Sequence, residues 1–195
     1  NQVKAVNIDE TEKSNHKLNI KVSGICGLNV NFTLETNRLL ISGEGDMYDY
    51  SSQDDVPWYP NYTIITSVRI SNGVTRIGNY SFYFLLYCTS ITIPDSITSI
   101  GSYAFGNCES LQTLRIPDKV QSIGPGCFSY CHKLRLFTIP KGITTIRERT
   151  FYSCGSISTF SIPESVTSIE EHSFVYSGLT NITINDNVKS IGMGI

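Results

Sequence analysis

"LQTLRIPDKVQSIGPGCFSYC", residues 111–131, is one period of a pattern that this chain writes repeatedly. Moving along in steps of 23 residues from its phenylalanine meets Phe82, Phe105, Phe128, Phe151 and Phe174. The same step connects Ile70, Ile93, Ile116, Ile139 and Ile162, with Ile184 one residue early. Val68, Ile91, Leu114, Phe137, Phe160 and Ile182 run two residues ahead of that series, and Ile77, Ile100, Ile123, Ile146, Ile169 and Ile191 run seven behind it. A fixed period of this length is the mark of a solenoid, in which each unit is one coil stacked on the last.

Inside a unit, the I-x-I pair alternates at period two, so both apolar side chains face one way from a short strand and the residue between them faces the other. Pro94, Pro117, Pro140 and Pro163 end that strand, because proline has no N–H to give to a ladder. A second apolar pair, V-x-x-I, then returns inward past a corner. Gly78, Gly101, Gly124 and Gly192 follow it, where a turn with positive φ is expected, although Arg147 and Glu170 hold the same place in two units. Ordering a 23-residue coil costs more than its own apolar burial returns, so a lone unit is expected to be unfolded and the array to fold as an array. The recurrent phenylalanines are expected to form an internal spine.

The chain has 195 residues, 40% of them apolar, which is enough for a sizeable core. Its 15 basic and 17 acidic residues nearly cancel and form no long run, which argues against a nucleic-acid partner. No stretch is long and apolar enough to insert in a membrane in this segment. Four Asn-x-Ser/Thr triplets, at Asn31, Asn61, Asn79 and Asn181, are candidate glycosylation acceptors and are compatible with secretion.

The unit, approximately L-x-x-I-x-I-P-x-x-V-x-x-I-G-x-x-x-F-x-x-C, resembles the BspA-like leucine-rich repeat of bacterial and protist surface proteins, over roughly residues 67–195. The preceding "GEGDMYDYSSQDDVPWYPNYTIITSVRI", residues 43–70, is similar to the segment that leads into such arrays. Departures occur at Leu85 and Ser177, which stand where the family has cysteine. The fold expected is therefore mainly β, a leucine-rich-repeat solenoid of 23-residue units with an N-terminal β-hairpin cap. Residues 1–23 read as N-terminal strands or linker ("VKAVNI", "KLNIKV"), residues 24–66 as the cap, with Trp58 packed on the first unit, and residues 67–195 as about five full units and a truncated sixth. Because the chain stops within a unit, continuation of the natural chain or self-association through an uncapped C-terminal edge is expected.

Little in the sequence nominates chemistry. Cys108, Cys131 and Cys154 recur at the repeat spacing and read as small buried thiols rather than bridges. Cys88 falls where the next unit has Leu111, and reads as apolar; Cys26 has no assigned place. Cys127-x-x-x-Cys131-His132 lacks a second Cys/His pair, so neither metal nor cofactor is expected. His16, His132 and His172 read as surface histidines, and Asp54-Asp55 and Glu170-Glu171 as solvated loop charges. With no nucleophile motif, no catalytic residue is assigned and an enzyme is not expected.

What remains is surface. The outward residue of each first strand gives a row, Arg69, Thr92, Arg115, Thr138, Ser161 and Thr183, flanked by Ser67, Ser90, Thr113, Leu136, Thr159 and Asn181. Tyr80, Tyr83, Tyr103, Tyr130, Tyr152 and Tyr176 supply aromatic anchors on a different face. In leucine-rich repeats the strand sheet lines the concave side. The resemblance thus implies an extracellular or cell-surface adhesion module that binds a protein ligand from a host or a neighbouring cell, and either that row or the tyrosine face is open to it. The competing reading is a spacer or stalk carrying another domain.

Overall fold

The computed structural model describes residues 21–135 and 137–195. The expected strands of residues 1–20, together with His16 and Leu136, lie outside the described residues. Within the described range, the chain is a solenoid fronted by a hairpin sheet. Strands β1 (Lys21–Ile25), β2 (Val30–Glu35) and β3 (Arg38–Gly43) pair antiparallel, with β2 and β3 joined at Thr36 and Asn37. Thr36 takes a φ of 57°, the left-handed geometry a tight hairpin needs. β1 crosses residue 23, so the last residues of the expected linker belong to the hairpin sheet.

β3 then pairs in parallel with β5 (Ser67–Ile70), the first strand of the array, and β5 with β7 (Ser90–Thr92). The cap and the coils thereby share one sheet, which covers the edge that the first coil would otherwise expose. A second parallel ladder runs along the V-x-x-I corner: β4 (Gly45–Asp46), β6 (Val74–Ile77), β8 (Ser99–Ile100) and β9 (Ser122–Ile123). Its continuation is β10 (Thr145–Ile146), β12 (Ser168–Ile169) and β14 (Ser190–Ile191). On the first face, β11 (Thr159–Ser161) pairs with β13 (Asn181–Thr183). The I-x-I segments of the two intervening units are not paired as regular strands, yet Leu114, Ile116 and Ile139 remain buried. Burial needs only the extended alternation, and the coils stay docked there by bonds such as Arg135 N–H to Gln112 O at 2.9 Å.

The proline corners work as the sequence implies. Pro94, Pro117, Pro140 and Pro163 each accept, through the carbonyl, the N–H of the residue three further on, at 3.0–3.2 Å. The glycine reading needs correction. Gly78, Gly101, Gly124 and Gly192 do not have positive φ. They are small because the neighbouring coil passes close: a Cβ would lie 1.9 Å from Tyr48 O at Gly78 and 2.5 Å from Ser102 N at Gly124. Where Arg147 and Glu170 replace glycine, their side chains turn outward and form an ion pair at 2.9 Å.

The left-handed positions lie a little further along and recur at the period. Tyr80, Tyr103, Gly126, Arg149 and His172 form one series; Phe84, Asn107, Tyr130, Ser153 and Tyr176 form another. This backbone sets up a third ladder in which N–H groups all point toward the following coil. Tyr80, Phe82 and Phe84 donate to Ser102, Ala104 and Gly106, and Tyr103, Phe105 and Asn107 donate to Pro125, Cys127 and Ser129, at 2.8–2.9 Å. The left-handed non-glycine residues of the two series, each costing about 1 kcal/mol or more, are tolerated because the ladder over-determines them.

The core is continuous from cap to array. Phe82, Phe105, Phe128, Phe151 and Phe174 are buried and stack ring on ring, with centroids 5.6, 5.7, 5.6 and 5.3 Å apart. Trp58 continues the column onto Phe82 at 5.9 Å.

Candidate functional site

The strand face presents the row the period-two pattern demands. Arg69, Thr92, Arg115, Thr138, Ser161 and Thr183 are all exposed, and the residues on both sides of each are buried except at Thr138 and Thr183. Ladder register aligns Arg69 with Thr92, and Ser161 with Thr183. Leu40 of β3, itself exposed, aligns with Arg69, so the row begins on the cap. Of the flanking row, Ser67 is half-buried, and Ser90, Thr113, Thr159 and Asn181 are exposed. Arg115 is 3.0 Å from Asp95, with both side chains well exposed, a pair worth little in stability and open to exchange for another anion. Where regular pairing lapses, a shallow cavity of about 290 Å³ opens in the middle of the row, lined by Thr113, Leu114, Arg115, Ile116 and Thr138.

The tyrosine face is built by the left-handed series. Tyr80 stacks on Tyr103 at 5.3 Å, and Tyr152 stands edge-on between Tyr130 and Tyr176 at 5.4 Å from each. The sequence had no signal for the further contribution of the cap, Tyr59 stacked on Tyr62 and Tyr62 against Phe84. Because most of these rings spend their faces on one another, they offer edges and hydroxyls rather than open aromatic planes. Tyr130 and Tyr176 are the exposed members.

The six cysteines are free and buried. Three of their thiols tie one coil to the last, since Cys108, Cys131 and Cys154 donate to the carbonyls of Phe82, Phe105 and Phe128 in the preceding coil, at 3.2, 3.1 and 3.0 Å. Burial pushes Cys131 up to about 12 and Cys108, Cys127 and Cys154 well above the usual thiol value, so they are held as uncharged donors, poor as nucleophiles or ligands. His132 is exposed, with Nδ1 2.9 Å from Ser153 O, and is not gathered with Cys127 and Cys131 into a site.

The acidic residues behave differently from their sequence reading in one place. Glu148, Glu171 and His172 bring a ligand-type atom each to within 4.8 Å of one another. The signal was present: residues 148 and 171 are one period apart, so adjacent coils stack them. Asp54 and Asp55 lie exposed in the cap loop. At the junction of cap and array, Asp49 takes both the Arg76 guanidinium, at 2.7 Å, and the Asn79 N–H, at 2.8 Å. Partial burial raises this carboxyl, but the two donors outweigh it and hold Asp49 below the ordinary carboxylate range.

Of the Asn-x-Ser/Thr acceptors, Asn31 and Asn181 are exposed, and Asn61 and Asn79 are half-buried. The Asn79 carbonyl oxygen is occupied, accepting the Ser102 N–H at 2.7 Å. Among the described residues, no helix is long and apolar enough to cross a membrane.

Comparison with known proteins follows the same lines. A family profile described as "BspA type Leucine rich repeat region" matches residues 59–178 in six copies. A search of curated proteins finds no match. Among solved structures, a leucine rich cell surface protein from Faecalibacterium prausnitzii is 28% identical, with a TM-score of 0.72 over 93% of this chain and 50% of that one. A leucine-rich repeat protein from Eubacterium ventriosum is 21% identical, with a TM-score of 0.63 over 88% and 62%. The T. pallidum leucine rich repeat protein is 19% identical, with a TM-score of 0.66 over 93% and 86%. This chain thus spans 50% and 62% of the length of the first two.

Proposed function

Because this chain belongs to the BspA-type leucine-rich-repeat family, a repeat architecture commonly used for protein interaction, we propose that it is a non-enzymatic, surface-displayed adhesion module that holds a protein ligand on its strand face. The observation that carries this reading is the exposed row from Arg69 to Thr183, which starts beside the cap and is held by parallel pairing at Arg69 and Thr92 and again at Ser161 and Thr183. Where the row lies on paired strands its side chains are held preorganised, which lowers the ordering cost a ligand meets on this side. Arg69 and Arg115 are the cations in the row, which favours an acidic patch on the partner. Display outside the cell is supported by the F. prausnitzii relative, itself described as a cell surface protein.

The test is a charge reversal, Arg69→Glu with Arg115→Glu. Both side chains are exposed, so the melting temperature should stay near that of the parent, while adhesion to host cells and capture of matrix proteins should fall to background. Undiminished adhesion by the double variant would remove the strand face from the reading and favour a spacer role.

A further inference from the structure

Glu148, Glu171 and His172 meet on the edge of the fourth and fifth coils, away from the strand face. Repeat stacking sets Glu148 beside Glu171, and the left-handed backbone at residue 172 turns the histidine in next to them. One edge of the imidazole is covered: a Cβ on Gly194 would lie 3.0 Å from Cδ2 and 3.6 Å from Nε2. The other nitrogen, Nδ1, is buried without a hydrogen-bond partner. A buried polar nitrogen left unpaired costs about 1–3 kcal/mol, and a ligand taken up at that atom would remove the cost. Beside the two carboxylates lies an open cavity of about 400 Å³, also lined by Glu170, Ser168 and Ser190.

We propose that Glu148, Glu171 and His172 form a binding site for a divalent transition-metal ion of zinc-like character. One imidazole with two carboxylates is a borderline-hard donor set, suited to such an ion more than to calcium or magnesium, which take oxygen alone. Three protein ligands leave a coordination position for water or another ligand. Glu171 is exposed and free to rotate toward a shared ion. Glu148 is steadied from behind: its N–H donates to Glu170 Oε2 at 2.9 Å, while Glu170 is itself held by Arg147. Arg149, 3.2 Å from Glu148, is the ion's competitor for that carboxylate. The thiols do not compete, since all six are buried.

The experiment is calorimetric titration of tag-free protein with zinc chloride, with thermal melts with and without zinc, for the parent, His172→Asn and Glu171→Gln. Asparagine tolerates the left-handed backbone at residue 172, and Glu171 is exposed, so at least one variant keeps the parent's metal-free melt. The expected result is saturable one-to-one binding and a raised melting temperature in the parent, both lost in the variants. Absence of saturable binding in the parent overturns the proposal. So does binding that survives both substitutions, or that vanishes only on thiol alkylation.

Discussion

Trp58 meets the first coil with both parts of its side chain. Its ring lies on Phe82 and against Phe32, and its indole N–H donates to Ser81 O at 3.0 Å. One coil further along, the carbonyl equivalent to that of Ser81 is Ala104 O, and it receives the backbone N–H of Phe82. The tryptophan therefore replaces a preceding coil twice, as a ring in the stack and as a donor in the third ladder. Trp58→Phe separates the two contributions. Stacking survives, Ser81 O is left buried and unpaired, and stability should fall by about 1–3 kcal/mol. Thermal denaturation followed by circular dichroism measures this; a variant as stable as the parent would mean that the bond to Ser81 contributes nothing. The thiols add a bond between coils further along: Cys108 supplies a donor to Phe82 O, while Cys131 and Cys154 join the backbone N–H groups of Cys108 and Cys131 at Phe105 O and Phe128 O.

At the scale of the coil, close approach and backbone conformation are separate demands placed on different residues. Gly124 answers the first, with Ser102 N 2.5 Å from where its Cβ would stand. Gly124→Ala should force the two coils apart, at a cost of about 1–3 kcal/mol. Gly155 is the control: nothing lies within 4 Å of its Cβ direction, so Gly155→Ala should be neutral or gain up to about 1 kcal/mol through the unfolded chain. Equal melting shifts for the two would overturn the close-approach account. The positive φ values at Tyr80, Tyr103, Tyr130 and Tyr176 were not legible, because no local sequence rule puts tyrosine there. They follow from pairing with the next coil, a long-range cause. What was legible rested on period: alternation fixed the exposed row, proline the corner, and the 23-residue step the spine. Glu148, Glu171 and His172 needed that step applied to charged residues as well as to apolar ones.

The whole molecule is a one-dimensional stack whose two halves are held unequally. Toward the N-terminus, coils share a sheet with the hairpin and a ring column with Trp58. Beyond the middle, coils are held only by one another, through the spine, the third ladder and the β10–β12–β14 and β11–β13 pairings. Phe128 joins these halves, 5.7 Å from Phe105, 5.6 Å from Phe151 and 4.6 Å from the edge-on ring of Phe137. Phe128→Ala should cost about 3–5 kcal/mol, the range for emptying a buried aromatic site. In a nearest-neighbour array that loss falls on the two interfaces Phe128 makes, with the coils of Phe105 and Phe151, and not evenly on all coils. The coils beyond Phe128 should then melt first, while those docked on the cap persist. The single tryptophan, Trp58, reports only the cap end, whereas far-ultraviolet circular dichroism reports every coil. In the parent the two signals should melt together; in the variant the circular dichroism transition should come earlier than the tryptophan fluorescence change. Coincident curves with an unshifted midpoint would mean that the coils do not hold one another through their phenylalanines.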